Sequence, residues 1–551
     1  MKRSLPKRTA LLIGFALLLL TSCATKNITS PDGRISAHVS DSTITVSYCQ
    51  QEVQKICTGI PIKLGKNLEL KVRNDGIAFL FLVGEQKVSY HVCDGLKRWL
   101  GPFDGINYEV LFPCTQEWQR GRWAYPMLVE YGDGVFGLVA ETGIRHGHSC
   151  SYLVSDEKPE WYSVRLTDGT NSSEVTPWRT IVIGTLSELM ASEMMTDLAE
   201  PCAIEDTSWI KPGSSSWIYW AHNHGSKDFN LIVEYIDLAA EMHWPYCLVD
   251  WEWPEMRDGT IEEVVDYAKE MGVNINLWYN SGTFWKGPGA PQPEDRIRDK
   301  ETREKEFAWL EELGVTGVKV DFFAPDGAEM VDLYLDILED AARHHLLVDF
   351  HGCTIPHGWQ RTWPNLMSME GVYGAEWYNN VPTFTAVAAS HNATLPFTRA
   401  LMGPMDYTPC TFSDSQHPHI TTYGHELALA VLFQSGLQHL ADRPSAYLSL
   451  PDEVRSMLIA LPSVWDETQL LSGYPGNHAV IARRSGSRWY IAGINGTDEP
   501  QTLSFREVRG NITLAADGET DRSFSISHPE AVSSVECLPR GGFLLIAEGQ
   551  E

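Results

Sequence analysis

Acidic residues recur just after short apolar runs in the middle of this 551-residue chain. Asp321 follows Gly317-Val318-Lys319-Val320, and Glu370 and Glu376 share the stretch Met369-Glu370-Gly371-Val372-Tyr373-Gly374-Ala375-Glu376-Trp377. Asp250 ends Tyr246-Cys247-Leu248-Val249, His351 follows Asp349-Phe350, and Asp442 lies beyond Leu437-Gln438-His439-Leu440. Cleavage of a glycosidic bond needs such a set: one carboxylate beside the anomeric carbon and one carboxylic acid to protonate the leaving oxygen. Lys319 lies two residues before Asp321, on the same face of a strand, so its charge is expected to keep Asp321 ionised and nucleophilic. A lone Asp at a strand end is more often a cap or turn former; the Lys-x-Asp placement favours the nucleophile. Glu370 and Glu376, in a loop with two glycines, are poor packing residues. Crowding raises the pKa of one of them, as a general acid requires, whereas a hard cation between them favours ionisation of both. Solvated loop acids are the plainer alternative.

These residues need elements that aim them at one point. From residue 206 to 460 helical stretches alternate with short apolar strands: 217–220, 246–250, 275–278, 317–321, 346–351, 366–369, 395–398 and 437–440. Thr260 and Glu263 form a capping box opening one of the intervening helices, which Gly272 closes. Eight strands with crossover helices predict a (β/α)8 barrel, whose active site lies at the C-terminal strand ends where these acids fall. A doubly wound sheet fits less well, lacking its Gly-rich first turn. Residues 30–205 instead show period-two segments such as Thr43 to Ser47 and Leu68 to Val72, with an Asn74-Asp75-Gly76 turn, and predict a β-sandwich. Strands return over 461–551, a smaller C-terminal β-domain.

Composition narrows the partners. A formal charge of −29 repels phosphate backbones, which argues against nucleic acid. The 19 Trp and 20 Tyr offer flat faces suited to sugar rings, although most of them are expected in the core. Residues 1–23 read as an export signal: Lys2, Arg3, Lys7 and Arg8 precede an apolar run too short to span a bilayer, which ends at Leu20-Thr21-Ser22-Cys23. That ending is similar to a bacterial lipobox and implies a lipid anchor on Cys23, in the periplasm or at the outer-membrane surface. The ten remaining cysteines show no pairing or metal spacing, and Cys247, in an apolar run, is expected to be core.

The segments 246–253 (YCLVDWEW), 275–282 (INLWYNSG), 317–323 (GVKVDFF), 361–376 (RTWPNLMSMEGVYGAE), 396–407 (PFTRALMGPMDY) and 465–468 (WDET) together resemble glycoside hydrolase family 97, a group of exo-acting α-glycosidases. The N-terminal domain matches more loosely, chiefly at 123–126 and 140–142. The resemblance implies a choice between two mechanisms. Inverting members, α-glucosidases, carry a Glu base directly after the fifth-strand His, where this chain has Gly352. Retaining members place an Asp nucleophile where Asp321 stands, with Glu376 matching the general acid/base. Retaining members of this kind are mostly α-galactosidases, and a β-L-arabinopyranoside has the same ring stereochemistry without C6. The family also binds calcium beside the sugar, which implies Glu141, Glu370 and Glu376 as Ca²⁺ ligands. Asp250, Lys319, His351 and Arg361 are candidates for contacting sugar hydroxyls, with structural salt bridges the equal alternative.

Two other classes compete. His222-Asn223-His224 with Lys319, His351 and Asp442 resembles the metal-ligand set of amidohydrolase barrels, but the sixth strand offers Ser368 and Glu370 where that set needs His. A non-catalytic glycan-binding lipoprotein would keep aromatic platforms, with little reason to keep both Asp321 and Glu376. No protein partner is evident.

Overall fold

The computed structural model describes residues 26–84, 87–156, 158–169 and 175–549, so the export signal and Cys23 lie outside the described residues. The first domain is a β-sandwich built from one path of hydrogen-bonded antiparallel strands that runs from Lys26–Thr29 at one end to Leu68–Arg73 at the other, with Lys97–Pro102 and Cys114–Thr115 branching from it. Alternation places Ile35, Ala37 and Val39 inward on one strand and Ile44 and Val46 on the next, all buried. Strand Val135–Thr142 pairs with Trp178–Gly184 in a register that sets Glu141 directly opposite Arg179. That register decides the fate of Glu141.

The catalytic layer is a parallel sheet of seven strands: β1 (Gly213–Trp217), β2 (Tyr246–Val249), β3 (Asn274–Asn280), β4 (Gly317–Asp321), β5 (Leu347–Phe350), β6 (Leu366–Met369) and β7 (Leu437–Leu440). Their order is β6-β5-β4-β3-β2-β1-β7, a barrel nearly closed upon itself. Between them lie helices α1 (Phe229–Glu241), α2 (Ile261–Met271), α3 (Lys300–Leu313) and α4 (Ala328–Arg343), with α5 (Tyr423–Leu432) before β7. Helix α2 has the expected ends: Thr260 and Glu263 form a reciprocal capping box, and Gly272 closes the helix at φ +74°.

One expected strand is absent. Leu395–Phe397 is a 3₁₀ turn with Pro396 in its first positions. Proline has no N–H for a ladder and its fixed φ suits a helical start, which explains the difference. The gap between β6 and β7 is stitched by a few bonds, Met405 N–H to Gln434 O at 2.8 Å, Asp406 N–H to Met369 O at 3.1 Å and Gly436 N–H to Met367 O at 2.9 Å. The stave expected at 395–398 is thus displaced to an extended passage around Asp406. The C-terminal domain adds a six-stranded sheet and a separate strand pair, Gln501–Arg509 with Ala531–Cys537, around a second apolar core that includes Val480, Phe543 and Leu545. The ten described cysteines are unpaired, and Cys247 is core as expected.

Candidate active site

The C-terminal ends of β2, β3 and β4 and the loops after β5 and β6 surround a cavity of about 240 Å³, lined by Asp250, Trp278, Lys319, Asp321, Gly352, Glu370 and Glu376. The sandwich supplies one wall through Ile106, Asn107 and Glu109. That loop is tied to the barrel by Tyr108, whose hydroxyl donates to Asp326 Oδ2 at 2.7 Å.

Asp321 is the last residue of β4 and is held from two sides. The Trp278 indole donates to Oδ2 at 3.1 Å, and the Phe322 N–H donates to Oδ1 at 2.7 Å. Lys319 does less for it than its placement in sequence suggests. Its ammonium is engaged by Asp250 Oδ2 at 3.1 Å, which also accepts from the Trp217 indole at 2.7 Å. Burial pushes the Asp321 carboxyl above its usual range, and the opposing pull of His351, Lys319 and Trp278 only partly offsets it. The expectation that the charge of Lys319 keeps Asp321 ionised is corrected to this extent: His351 and the Trp278 indole share that pull, and burial works against all three. Burial works against the ammonium, but Asp250, Asp321 and Glu376 outweigh it, so Lys319 is firmly charged.

Gly352 explains why the nucleophile fits. It adopts φ +46°, and a Cβ built on it would stand 2.7 Å from Asp321 Oδ1 and 2.8 Å from the Phe322 nitrogen. A side chain here would need space that the Asp321 carboxylate already fills. The Gly352 N–H is used as well, donating to Glu370 Oε2 at 2.7 Å.

Besides Asp250, which is paired with Lys319, four acids meet at this pocket: Glu109, Asp321, Glu370 and Glu376. Burial raises Glu376, with Asp321 adding to the rise and His351 and Lys319 opposing it. Glu370 is held well above the carboxylate range by burial and by Glu109, Glu376 and Asp321, and Glu109 by burial, Glu376 and Asp321. Glu109 Oε1 accepts from the Asn107 amide, whereas its Oε2 is buried without a hydrogen bond of normal geometry, with only the Trp377 side chain near enough to relieve it. Ligand atoms of His351, Glu370 and Glu376 all lie within 4.8 Å of one another.

Of the residues proposed from sequence, Asp250, Lys319, Asp321, Glu370 and Glu376 are brought together and His351 lies just beneath, its Nδ1 3.4 Å from Glu370 Oε2. Glu141 is placed elsewhere: its carboxylate is buried in an ion pair with Arg179 and accepts from the Ser151 hydroxyl and N–H. The sandwich acid at the pocket is Glu109. Its signal was an alternation, since Tyr108, Val110 and Phe112 are all buried and leave Glu109 on the opposite side. Arg361 does not reach the pocket; its guanidinium donates to Thr196 O at 2.8 Å, at the junction with the segment leaving the sandwich. Asp442 accepts from the N–H groups of Phe412, Ser413 and Arg443 and is a loop organiser. The amidohydrolase set does not assemble: His224 pairs with Glu252 and stacks on Trp251, and among the described residues no potential metal cluster includes His222 or His224. Sequence reasoning also missed Asp406, which accepts from His351 Nε2 at 2.6 Å and His439 Nδ1 at 2.7 Å beneath the site.

Comparison with known proteins agrees with this geometry. Residues 213–372 match the family model described as Glycoside hydrolase 97, residues 25–201 its N-terminal domain and residues 464–545 its C-terminal domain, described as an oligomerisation domain. The chain is 35% identical over 517 residues to a protein of Streptomyces bingchenggensis named "Probable retaining alpha-galactosidase", covering 87% of this chain and 77% of that one. It is 28% identical to the "Retaining alpha-galactosidase" of Bacteroides thetaiotaomicron, over 81% of this chain and 76% of the other. A crystal structure described as a beta-arabinopyranosidase superposes with a TM-score of 0.84 at 25% identity, over 95% of this chain and 100% of that one. The protein is a glycosidase, and the chain belongs to glycoside hydrolase family 97.

Proposed function

We propose that this glycosidase is a retaining, exo-acting α-galactosidase in which Asp321 is the nucleophile and Glu376 the general acid/base. The observation that carries the reading is the 2.7 Å approach of Asp321 Oδ1 to the point where a Cβ at position 352 would stand. An attacking carboxylate from β4 and a side-chain base from position 352 exclude each other, and this chain has the carboxylate. Asp321 attacks the anomeric carbon while Glu376 protonates the departing oxygen; Glu376 then takes a proton from the water that hydrolyses the glycosyl-enzyme, with net retention. The electrostatics suit both halves. The charge of Asp321 helps to hold Glu376 protonated at first, and esterification of Asp321 removes that charge, which lowers the pKa of Glu376 for its second role as base. The cavity of about 240 Å³ is below the ~300–1,000 Å³ of sites for drug-sized ligands, so it suits one terminal sugar ring, as exo action requires.

The names of the two sequence relatives support galactose as that ring. The structural neighbour supports a second reading, a β-L-arabinopyranoside, which differs by lacking C6. For calcium, Glu370 and Glu376 bring carboxylate oxygens together beside His351, and Glu109 adds a buried acid to the same cavity whose Oε2 has no hydrogen bond of normal geometry; carboxylate oxygens suit a hard cation, and burial together with the neighbouring acids raises Glu109 and Glu370. Bound there, Ca²⁺ would supply the positive charge that lets Glu109 and Glu370 ionise together. The N-terminal basic and apolar run ending in Cys23 supports export and lipid anchoring to the bacterial cell envelope.

The test is NMR monitoring of p-nitrophenyl α-D-galactopyranoside hydrolysis by wild type, Asp321→Gly, and Asp321→Gly with azide. α-Galactose as first product, an inactive variant and its rescue to β-galactosyl azide are expected. β-Galactose as first product, or an active variant, would overturn the mechanism. Turnover of the arabinopyranoside in preference to the galactoside would select the second sugar.

A further inference from the structure

A cavity that holds one ring leaves the departing part of the substrate outside it, and the structure has a feature at that spot which catalysis does not use. Among the described residues, the only exposed large aromatic side chains are Phe284 and Trp285, 52% and 43% accessible, and both line the mouth of the catalytic cavity. They sit in the loop after β3. Exposed aromatic surface next to a pocket forgoes the burial that usually stabilises such side chains, which marks it as a contact surface.

The pair is not a loose flap. The Trp285 carbonyl accepts from Asn280 Nδ2 at 2.7 Å, and the Phe284 N–H donates to Phe322 O at 3.3 Å. The Ser281 and Thr283 hydroxyls donate to that same carbonyl at 2.8 and 3.0 Å. Phe322, which follows the nucleophile at φ +66°, packs its ring edge-on against Trp285 at 5.2 Å, and Trp251 also packs edge-on against it at 6.2 Å. The aromatic surface is therefore fixed to the residue next to Asp321, at a set distance from the bond to be cleaved.

We propose that Phe284 and Trp285 form the leaving-group subsite, a platform that stacks on the apolar face of the sugar next to the scissile bond and makes the enzyme selective for oligosaccharides over glycosides with small leaving groups. The proposal rests on the galactoside reading for its choice of substrates. Trp285→Ala and Phe284→Ala are compared with wild type on raffinose, whose leaving group is sucrose, and on α-galactosyl fluoride, which has no ring to stack. For Trp285→Ala the kcat/KM on raffinose falls about tenfold, mainly through KM, which is ~1.4 kcal/mol of lost contact. The fluoride stays within about twofold, and Trp285→Phe recovers most of the loss. An equal fall on both substrates, or no fall on either, overturns the platform. Failure of wild type on both substrates refutes the galactoside reading instead, and a second measurement then decides the platform independently of the glycone. Saturation-transfer NMR with free sucrose is expected to show contact with wild type that is lost in Trp285→Ala; no transfer, or transfer unchanged in the variant, overturns the proposal.

Discussion

Gly352→Ala adds a single methyl group to the protein, and the structure says where it goes. The new Cβ would lie 2.7 Å from Asp321 Oδ1 and 2.8 Å from the Phe322 nitrogen, distances that real Cβ atoms do not keep, so the nucleophile must move. Asp321 has few places to go, because Trp278 and the Phe322 N–H already hold its two oxygens at 3.1 and 2.7 Å. A displacement approaching 1 Å at a reacting atom costs about 10²-fold in rate, equivalent to ~2.7 kcal/mol of barrier. Residue 352 also sits at φ +46°, which is free for glycine but costs roughly 1–2 kcal/mol of folding stability for alanine. The assay is kcat/KM on p-nitrophenyl α-galactoside together with urea unfolding. A control separates displacement of the nucleophile from general damage. In the Asp321→Gly background, where the colliding carboxylate is gone, Gly352→Ala should change the azide-rescued rate by less than about threefold, a non-additivity expected only for residues in contact. Wild-type kcat/KM in Gly352→Ala, or an undiminished 10²-fold loss in the azide-rescued background, would refute the reasoning.

Glu141→Gln removes the carboxylate from its buried ion pair with Arg179 and is expected to lower stability in urea unfolding, while the response of the enzyme to chelator stays as in wild type. Glu109→Gln behaves the other way: EDTA should lower the melting temperature and activity of wild type, and the variant should no longer respond, as differential scanning fluorimetry with added Ca²⁺ would show. Lys319→Met leaves the Asp250 carboxylate buried without its cation and should lower both stability, by about 3–5 kcal/mol, and kcat, read from unfolding and initial rates. His391 is buried, its ring against Tyr373 O at 3.0 Å, and burial lowers its pKa from 6.5 to about 4. A depressed histidine contributes stability that is present above the unfolded pKa and lost as pH falls. The unfolding free energies of wild type and His391→Asn should therefore converge by up to ~3 kcal/mol between about pH 6.5 and 4, and parallel curves would refute the assignment.

The barrel was legible because its strands and helices differ in period and are separated by caps such as Thr260 and Gly272, all of which act locally. The nucleophile and acid loop were legible for a related reason: a parallel barrel gathers its C-terminal strand ends and the loops after them at one face, so Asp321 at the end of β4 and Glu376 in the loop after β6 line one cavity. What failed depended on register or on contacts between domains. Glu141 is neutralised by a residue 38 positions away that only the antiparallel ladder brings opposite, and nothing local distinguishes it from a free ligand. Glu109 reaches the pocket because Tyr108 anchors its loop across a domain boundary to Asp326. Lys319 was read correctly in position and incompletely in partner, since β2 brings Asp250 closer to it than its own neighbour on the strand. The strand expected at 395–398 was read from apolar content alone, and Pro396 was the local sign against it.

The contact between positions 321 and 352 bears on how one fold can hold two stereochemical outcomes. Strands β4 and β5 run side by side with Val320 opposite Phe350, so the residues just beyond both ends converge on a shared volume. A carboxylate entering from the end of β4 lies against the anomeric carbon and can bond to it. A Glu beyond β5, which the family resemblance assigns to inverting members, would reach further and leave room for a water molecule between base and sugar, as the wider inverting separation requires. Because the two side chains compete for one space, loss of the acid at one position opens room for the other, and a protein carrying both would crowd two anions together and raise the pKa of each. Gly352 is thus as much a part of the retaining mechanism as Asp321: the missing side chain is what lets the nucleophile stand where it does.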